Sequence, residues 1–102
     1  MPQDLIISGR ARQDLRGIHE WIAEDSLESA DAFLGKLAMA MEKVALTKNR
    51  GVPRDAIRIG LRAHIVGKYV IYFRISQGDV IIVRGLHSAR DSKKLTFADE
   101  FD

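Results

Sequence analysis

From Tyr69 to Leu86 the chain reads YVIYFRISQGDVIIVRGL, and this stretch decides the fold. Tyr69 to Ile75 is rich in aromatic and β-branched residues, the composition of a central strand. Ser76, Gln77, Gly78 and Asp79 are turn formers. Val80 to Leu86 is a further β-rich run. So short a link between two such runs predicts an antiparallel pair. Upstream, Gly67 and Lys68 supply another turn, and Leu61 to Val66 mixes apolar and polar residues as a third strand. Together these strands make an antiparallel meander.

Before Gly60 the period is helical. Ala11, Leu15, Ile18 and Ile22 line one face of a helix from about Gly9 to Glu24, with Ser8 as its N-cap and Trp21 bordering the stripe. Asp25 and Ser26 interrupt this pattern, and Asp25 with Glu28 has capping-box spacing. A second stripe follows in Ala30, Phe33, Leu34, Leu37, Ala38, Met41 and Val44, predicting a helix to about Lys48. Asn49 and Gly51 give its stop, and Pro53 seals it. The short link makes the two helices an antiparallel hairpin. Leu5, Ile6 and Ile7 are too few for a helix and read as a strand. That strand joins the same sheet, because its amides need partners. The expected fold is α+β: a helix hairpin packed on a small antiparallel sheet, in the order β-α-α-β-β-β. The tail from Ser88 is polar, with Leu95, Phe97 and Phe101 as anchors.

The chain has 102 residues, 46% of them hydrophobic, which suits a single domain over 1–102 with one core. No cysteine is present, which excludes a disulfide scaffold, a Cys-based zinc site and a thiol nucleophile. His19, His64 and His87 have no metal-ligand spacing, so no metal is expected. No Gly-rich phosphate loop or nucleophile elbow occurs, and no cofactor is expected. The apolar runs are too short for a membrane span and the start lacks signal-peptide features, so a cytoplasmic protein is expected.

The net charge of +2 hides a division. Residues 1–49 carry 6 basic and 8 acidic side chains, residues 50–94 carry 10 and 3, and residues 95–102 carry 3 acidic ones only. Such asymmetry suits a basic working face and an acidic partner. Arg58, Arg62, Arg74, Arg84 and Arg90 recur through the strand region, where guanidinium groups suit phosphate or carboxylate recognition; solvation beside Asp79 and Asp91 is the plainer reading. Arg62 and His64 share a face, as do Tyr72 and Arg74, but the register between strands is open. His87 ends a strand beside Arg90 and Asp91. It is placed either for proton transfer or to hydrogen-bond a turn.

Order, length and the stretch GLRAHIVGKYVIYFRISQGDVIIVRGLHSARD from Gly60 to Asp91 resemble the ParE branch of the RelE/ParE toxin superfamily. The most specific pieces are Gly60-Leu61-Arg62, the Tyr69-Val70-Ile71-Tyr72 strand and the Leu86-His87-x-x-Arg90-Asp91 ending. At the other end, LIISGRARQDLRGIHEWIAE resembles the family's first strand and first helix.

The resemblance implies the toxin of a type II toxin–antitoxin pair, neutralised by a cognate, ParD-like antitoxin that is often acidic. It implies DNA gyrase as the target, with no catalytic residue. Target or partner binding then falls to Arg58, Arg62, Arg74, Arg84, His87, Arg90 and Asp91. RelE-like relatives instead cut mRNA on the ribosome, using strand cations and a late tyrosine, histidine or glutamate; here Arg62, Arg84 and His87 would fill those roles. The chain has no tyrosine after His87 and no lysine cluster before Arg62, which weighs against the ribonuclease. A third reading is a non-toxic, antitoxin-binding module.

Overall fold

A computed structural model of the chain describes residues 4–46, 51–91 and 93. Ser8 opens the first helix, α1 (Gly9–Ala23): its backbone is extended and its Oγ accepts the N–H of Ala11 at 3.1 Å. The second helix, α2 (Leu27–Leu46), begins one residue later than the capping-box spacing predicts. Ser26, not Asp25, is the cap, because Ser26 Oγ accepts the N–H of Ser29 at 3.1 Å while the N–H of Asp25 is still bonded to Ile22 O. The expected end of this helix at Lys48, its Asn49 stop and the tail anchors Leu95, Phe97 and Phe101 lie outside the described residues.

Five strands form one sheet: β1 (Leu5–Ile7), β2 (Val52–Pro53), β3 (Arg62–Val66), β4 (Tyr69–Ser76) and β5 (Asp79–His87). The element order is therefore β-α-α-β-β-β-β, with one strand more than expected. The addition is β2, a two-residue edge strand on β3. It escapes notice because Pro53 has no N–H to donate and is tolerated only at an edge. Gly51 just before it has φ +63°, and a Cβ there would collide with the carbonyl of Ala63, so only glycine lets the chain enter β2.

The sheet order is β1-β5-β4-β3-β2, and the sheet is mixed rather than wholly antiparallel. β3, β4 and β5 are the expected antiparallel meander, but β1 pairs parallel with β5, Leu5 opposite Val80. The helix hairpin between β1 and the meander makes this direction possible, since parallel strands need a long crossover. The β4–β5 turn narrows to Gln77 and Gly78, both at positive φ, 52° and 87°, as a two-residue hairpin of right-handed strands requires.

Alternation along the strands gives the sheet two buried faces. Ile71, Phe73, Val80 and Ile82 meet Ala11, Ile18, Leu37, Met41 and Val44 from the helices. Tyr72, Val83 and Leu86 join Leu61 and Ala63 on the other face. A β-bulge at Val83 shifts the register, so that Tyr72 faces Arg84 while Phe73 faces Ile82. β1 ends opposite Ile82, yet β5 continues to His87. Past that point the edge of β5 is served by Ser8, whose N–H donates to Ile82 O and whose hydroxyl donates to Val83 O, and then by Asp14 on α1. No helix among the described residues is long and apolar enough to cross a membrane.

Candidate functional site

The chain leaves β5 through a turn built around His87. His87 Nδ1 accepts two backbone N–H groups, from Arg90 at 2.9 Å and Ala89 at 3.2 Å. Accepting at Nδ1 places the proton of the neutral ring on Nε2. The N–H of His87 donates to Asp91 Oδ2 at 2.8 Å, and Asp91 N returns a bond to His87 O, closing the turn from both ends. The imidazole packs edge-on against Tyr69, centroids 5.1 Å apart, and Tyr69 in turn meets Phe33 of α2 at 5.4 Å. Of the two roles open to His87 in the sequence, this is the geometry of the turn acceptor.

Arg90 follows directly. Its guanidinium carbon lies 4.3 Å from the centroid of Trp21 on α1, and one of its terminal nitrogens donates to the Tyr69 hydroxyl at 3.2 Å. Trp21 remains 55% exposed, so the stack stands at the surface. With Ile22, Phe33, Gly67, Lys68 and His87, these residues wall an open pocket of about 420 Å³.

Arg84 is placed quite differently. Only 5% of it is exposed, and Asp14 takes it by both carboxylate oxygens, Nε to Oδ2 at 2.7 Å and Nη2 to Oδ1 at 3.0 Å. The same Oδ2 accepts the N–H of Gly85 at 2.9 Å. Nothing in the sequence marked Asp14, because its partners lie about 70 residues away.

The other arginines of the strand region lie elsewhere. Arg62 opens β3 opposite Phe73, Arg74 is the next residue of β4, and Arg58 lies in the loop before β3. From Tyr69, opposite His87, to Arg74 is about 17 Å along the strand. Cross-strand partners share a face, so Arg62 lies on the helix side with Phe73, and Arg74 on the far side with Tyr72. The structure thus brings His87, Arg90 and Asp91 together, buries Arg84 against α1, and separates these from Arg62 and Arg74. His64 lies opposite Ile71 on β3, and His19 bridges the helices through Asp31 at 2.7 Å.

Two further features carry chemistry. Tyr72 lines a small cleft with Arg54, His87 and Asp91; burial pushes its phenol above the ordinary 10.0, and the Arg54 charge opposes that rise. Between the helices runs a groove of about 470 Å³, floored by Leu15, Leu34, Ala38 and Met41 and rimmed by Arg12, Arg16, His19 and Glu20. Among the described residues no cluster of His, Cys, Asp or Glu could hold a metal.

Comparison with known proteins agrees with this architecture. Residues 5–92 match the family model described as the ParE toxin of the type II toxin–antitoxin system parDE. A solved structure described as the chromosomal ParDE toxin–antitoxin system from P. aeruginosa superposes with a TM-score of 0.72 at 18% identity, over 84% of this chain and 96% of that one. The toxin–antitoxin complex RelBE2 from Mycobacterium tuberculosis superposes with a TM-score of 0.60 at 21% identity, over 85% and 92% of the two chains. A search of curated protein sequences gives no match. The two-helix hairpin on a five-stranded mixed sheet is thus the RelE/ParE fold, and with nearly its whole length matched the chain belongs to the ParE toxin family of type II toxin–antitoxin systems.

Proposed function

We propose that this toxin acts in the cytoplasm on DNA gyrase and is silenced by a ParD-like antitoxin. The ParE family match over residues 5–92 carries this reading. The state of the nuclease candidates supports gyrase over mRNA. Cutting RNA needs a free base or acid near the 2′-hydroxyl and cations at the developing charge. His87 Nδ1 is committed to two backbone amides, which leaves its ring a donor at Nε2 but no base at Nδ1; Arg84 is committed to Asp14, and Arg62 lies about 13 Å along β3 from the residue paired with Tyr69. Purified toxin is expected to block gyrase supercoiling or trap cleaved DNA. Normal supercoiling beside ribosome-dependent mRNA cleavage would reverse the assignment, and normal supercoiling with intact mRNA would leave the antitoxin-binding module.

The groove between α1 and α2 supports the antitoxin half of the reading. It has an apolar floor and a rim where Arg12 and Arg16 outnumber Glu20, the complement of an amphipathic segment with a mainly acidic flank. Leu34 is partly exposed on that floor, so Leu34→Glu is expected to weaken antitoxin binding by about tenfold or more without unfolding the chain. Arg62 and Arg74, on opposite faces at one end of the sheet, and Arg58 in the loop before β3 are further cations for an acidic partner or for the target. Contacts there and at the groove's arginine rim would weaken with salt, whereas contacts on the groove's apolar floor would not.

A further inference from the structure

The pocket beside Trp21 and Arg90 lies on the opposite flank of the helix hairpin from the groove, against β4 rather than β1. Its polar side chains, from Trp21, Lys68, Tyr69, His87 and Arg90, all carry donors. Arg90 spends one terminal nitrogen on Tyr69, and a guanidinium has five N–H groups. Lys68 lines the same pocket, its backbone carbonyl tied to Ser88 N at 2.9 Å. His87, held by its Nδ1, keeps Nε2–H as a donor. None of the residues lining this pocket is acidic; Asp14 and Asp91 line the adjoining cleft that shares Trp21 and Arg90, where Asp14 is taken up by Arg84 and Asp91 accepts the His87 amide.

The arginine is also fixed in direction. The Trp21 face and the Tyr69 hydroxyl hold a flexible side chain in one orientation, so less rotamer freedom is lost when it meets an anion. The rest of the wall is apolar: Trp21, Ile22 and Phe33. A nucleic-acid backbone draws its affinity from many phosphate contacts along a basic track. Here there are two full cations; Arg54 lies in the separate cleft with Tyr72, and Arg62 and Arg74 lie about 13 and 17 Å away along β3 and β4. Two cations on an apolar wall suit one carboxylate next to a large apolar side chain.

We propose that this pocket binds an acidic peptide segment, its carboxylate on Arg90 and Lys68 and its neighbouring apolar side chain against Trp21 and Phe33. Resting on the toxin–antitoxin reading, it is a second foothold for the antitoxin, on the far flank of the hairpin from the groove.

The probe is a capped seven-residue peptide with one glutamate between two leucines in a glycine–serine frame, titrated into the full chain and followed by NMR. Shifts are expected at Trp21, Lys68 and Arg90. Replacing the peptide's glutamate by glutamine, or making Arg90→Gln or Trp21→Ala, is expected to weaken binding about tenfold. Arg90→Lys, which keeps the charge but loses the fork, should weaken it several-fold, and Lys36→Gln on an exposed turn of α2 should leave it unchanged. Equal binding of the glutamine peptide, shifts elsewhere, no binding at millimolar peptide, or tighter competition by a twenty-nucleotide single-stranded DNA each overturns the proposal. Loss of peptide binding with an intact antitoxin complex sinks the pocket alone. Peptide binding without any antitoxin complex sinks the toxin–antitoxin reading alone.

Discussion

Asp14 holds Arg84 through both carboxylate oxygens, at 2.7 and 3.0 Å, and takes the Gly85 amide at 2.9 Å with one of them. A helix side chain thereby stands in for a missing strand along the outer edge of β5. With side-chain exposures of 13% and 6%, removing one partner strands a charge in a dry place. Asp14→Ala is expected to lower unfolding free energy by about 3–5 kcal/mol. The double variant Asp14→Leu with Arg84→Met should recover much of that loss, because it removes both charges. Urea denaturation of the three proteins checks this; equal losses in the single and double variants would disprove the coupling.

His87 is expected to respond to which nitrogen is mimicked. Asparagine places an oxygen near the Nδ1 position and can still accept the amides of Ala89 and Arg90, whereas glutamine reaches toward Nε2. His87→Asn should therefore retain most stability and growth arrest, and His87→Gln should lose about 1–3 kcal/mol through the unsatisfied amides. Thermal melts beside a growth assay measure both. The reverse order would point to chemistry at Nε2.

The second helix offers a small but clean comparison. Ser26→Ala removes the acceptor of the Ser29 amide and is expected to cost about 1 kcal/mol. Asp25→Ala, outside the cap, should stay within about 0.5 kcal/mol. Chemical denaturation resolves the two, and the opposite ranking would restore the capping box.

Tyr72 gives a pH dependence at the alkaline end. Burial raises its folded-state pKa above the ordinary 10.0, so above that pH the unfolded chain gives up the phenolic proton first. The unfolded state then binds fewer protons, and stability falls as pH rises. Below about pH 10 the contribution is constant. Wild type is expected to lose stability between pH 9 and 11 more steeply than Tyr72→Phe, and parallel losses in denaturation curves would contradict it.

Periodicity and composition carried most of the architecture. The stripes of α1 and α2 and the β-rich runs from Arg62 to His87 are local signals, and they fell where expected to within a residue or two. Two strand-level features were not local. β2 is two residues long with a proline, below any pattern, and the parallel direction of β1 depends on Val80 to Ile82 far along the chain. The candidate site was legible as residue types but not as an arrangement. Arg84, Arg62 and Arg90 look alike in sequence, yet Asp14 buries one, β3 places another at the far end, and Trp21 stacks on the third. Each partner comes from a different element, so only register and helix packing decide which arginine is which.

The pairing of the first strand with the last sets a timetable for synthesis. β5 is the attachment point for β1, β4 and the α1 carboxylate, yet it follows every other element in chain order. At about 5–20 residues per second, a growing chain spends several seconds with both helices made and no central strand to receive them. Contacts between residues some 75 apart then close last and slowly. Every surface that rests on β5, the pocket beside Arg90 included, is thus completed only after the last strand has been made.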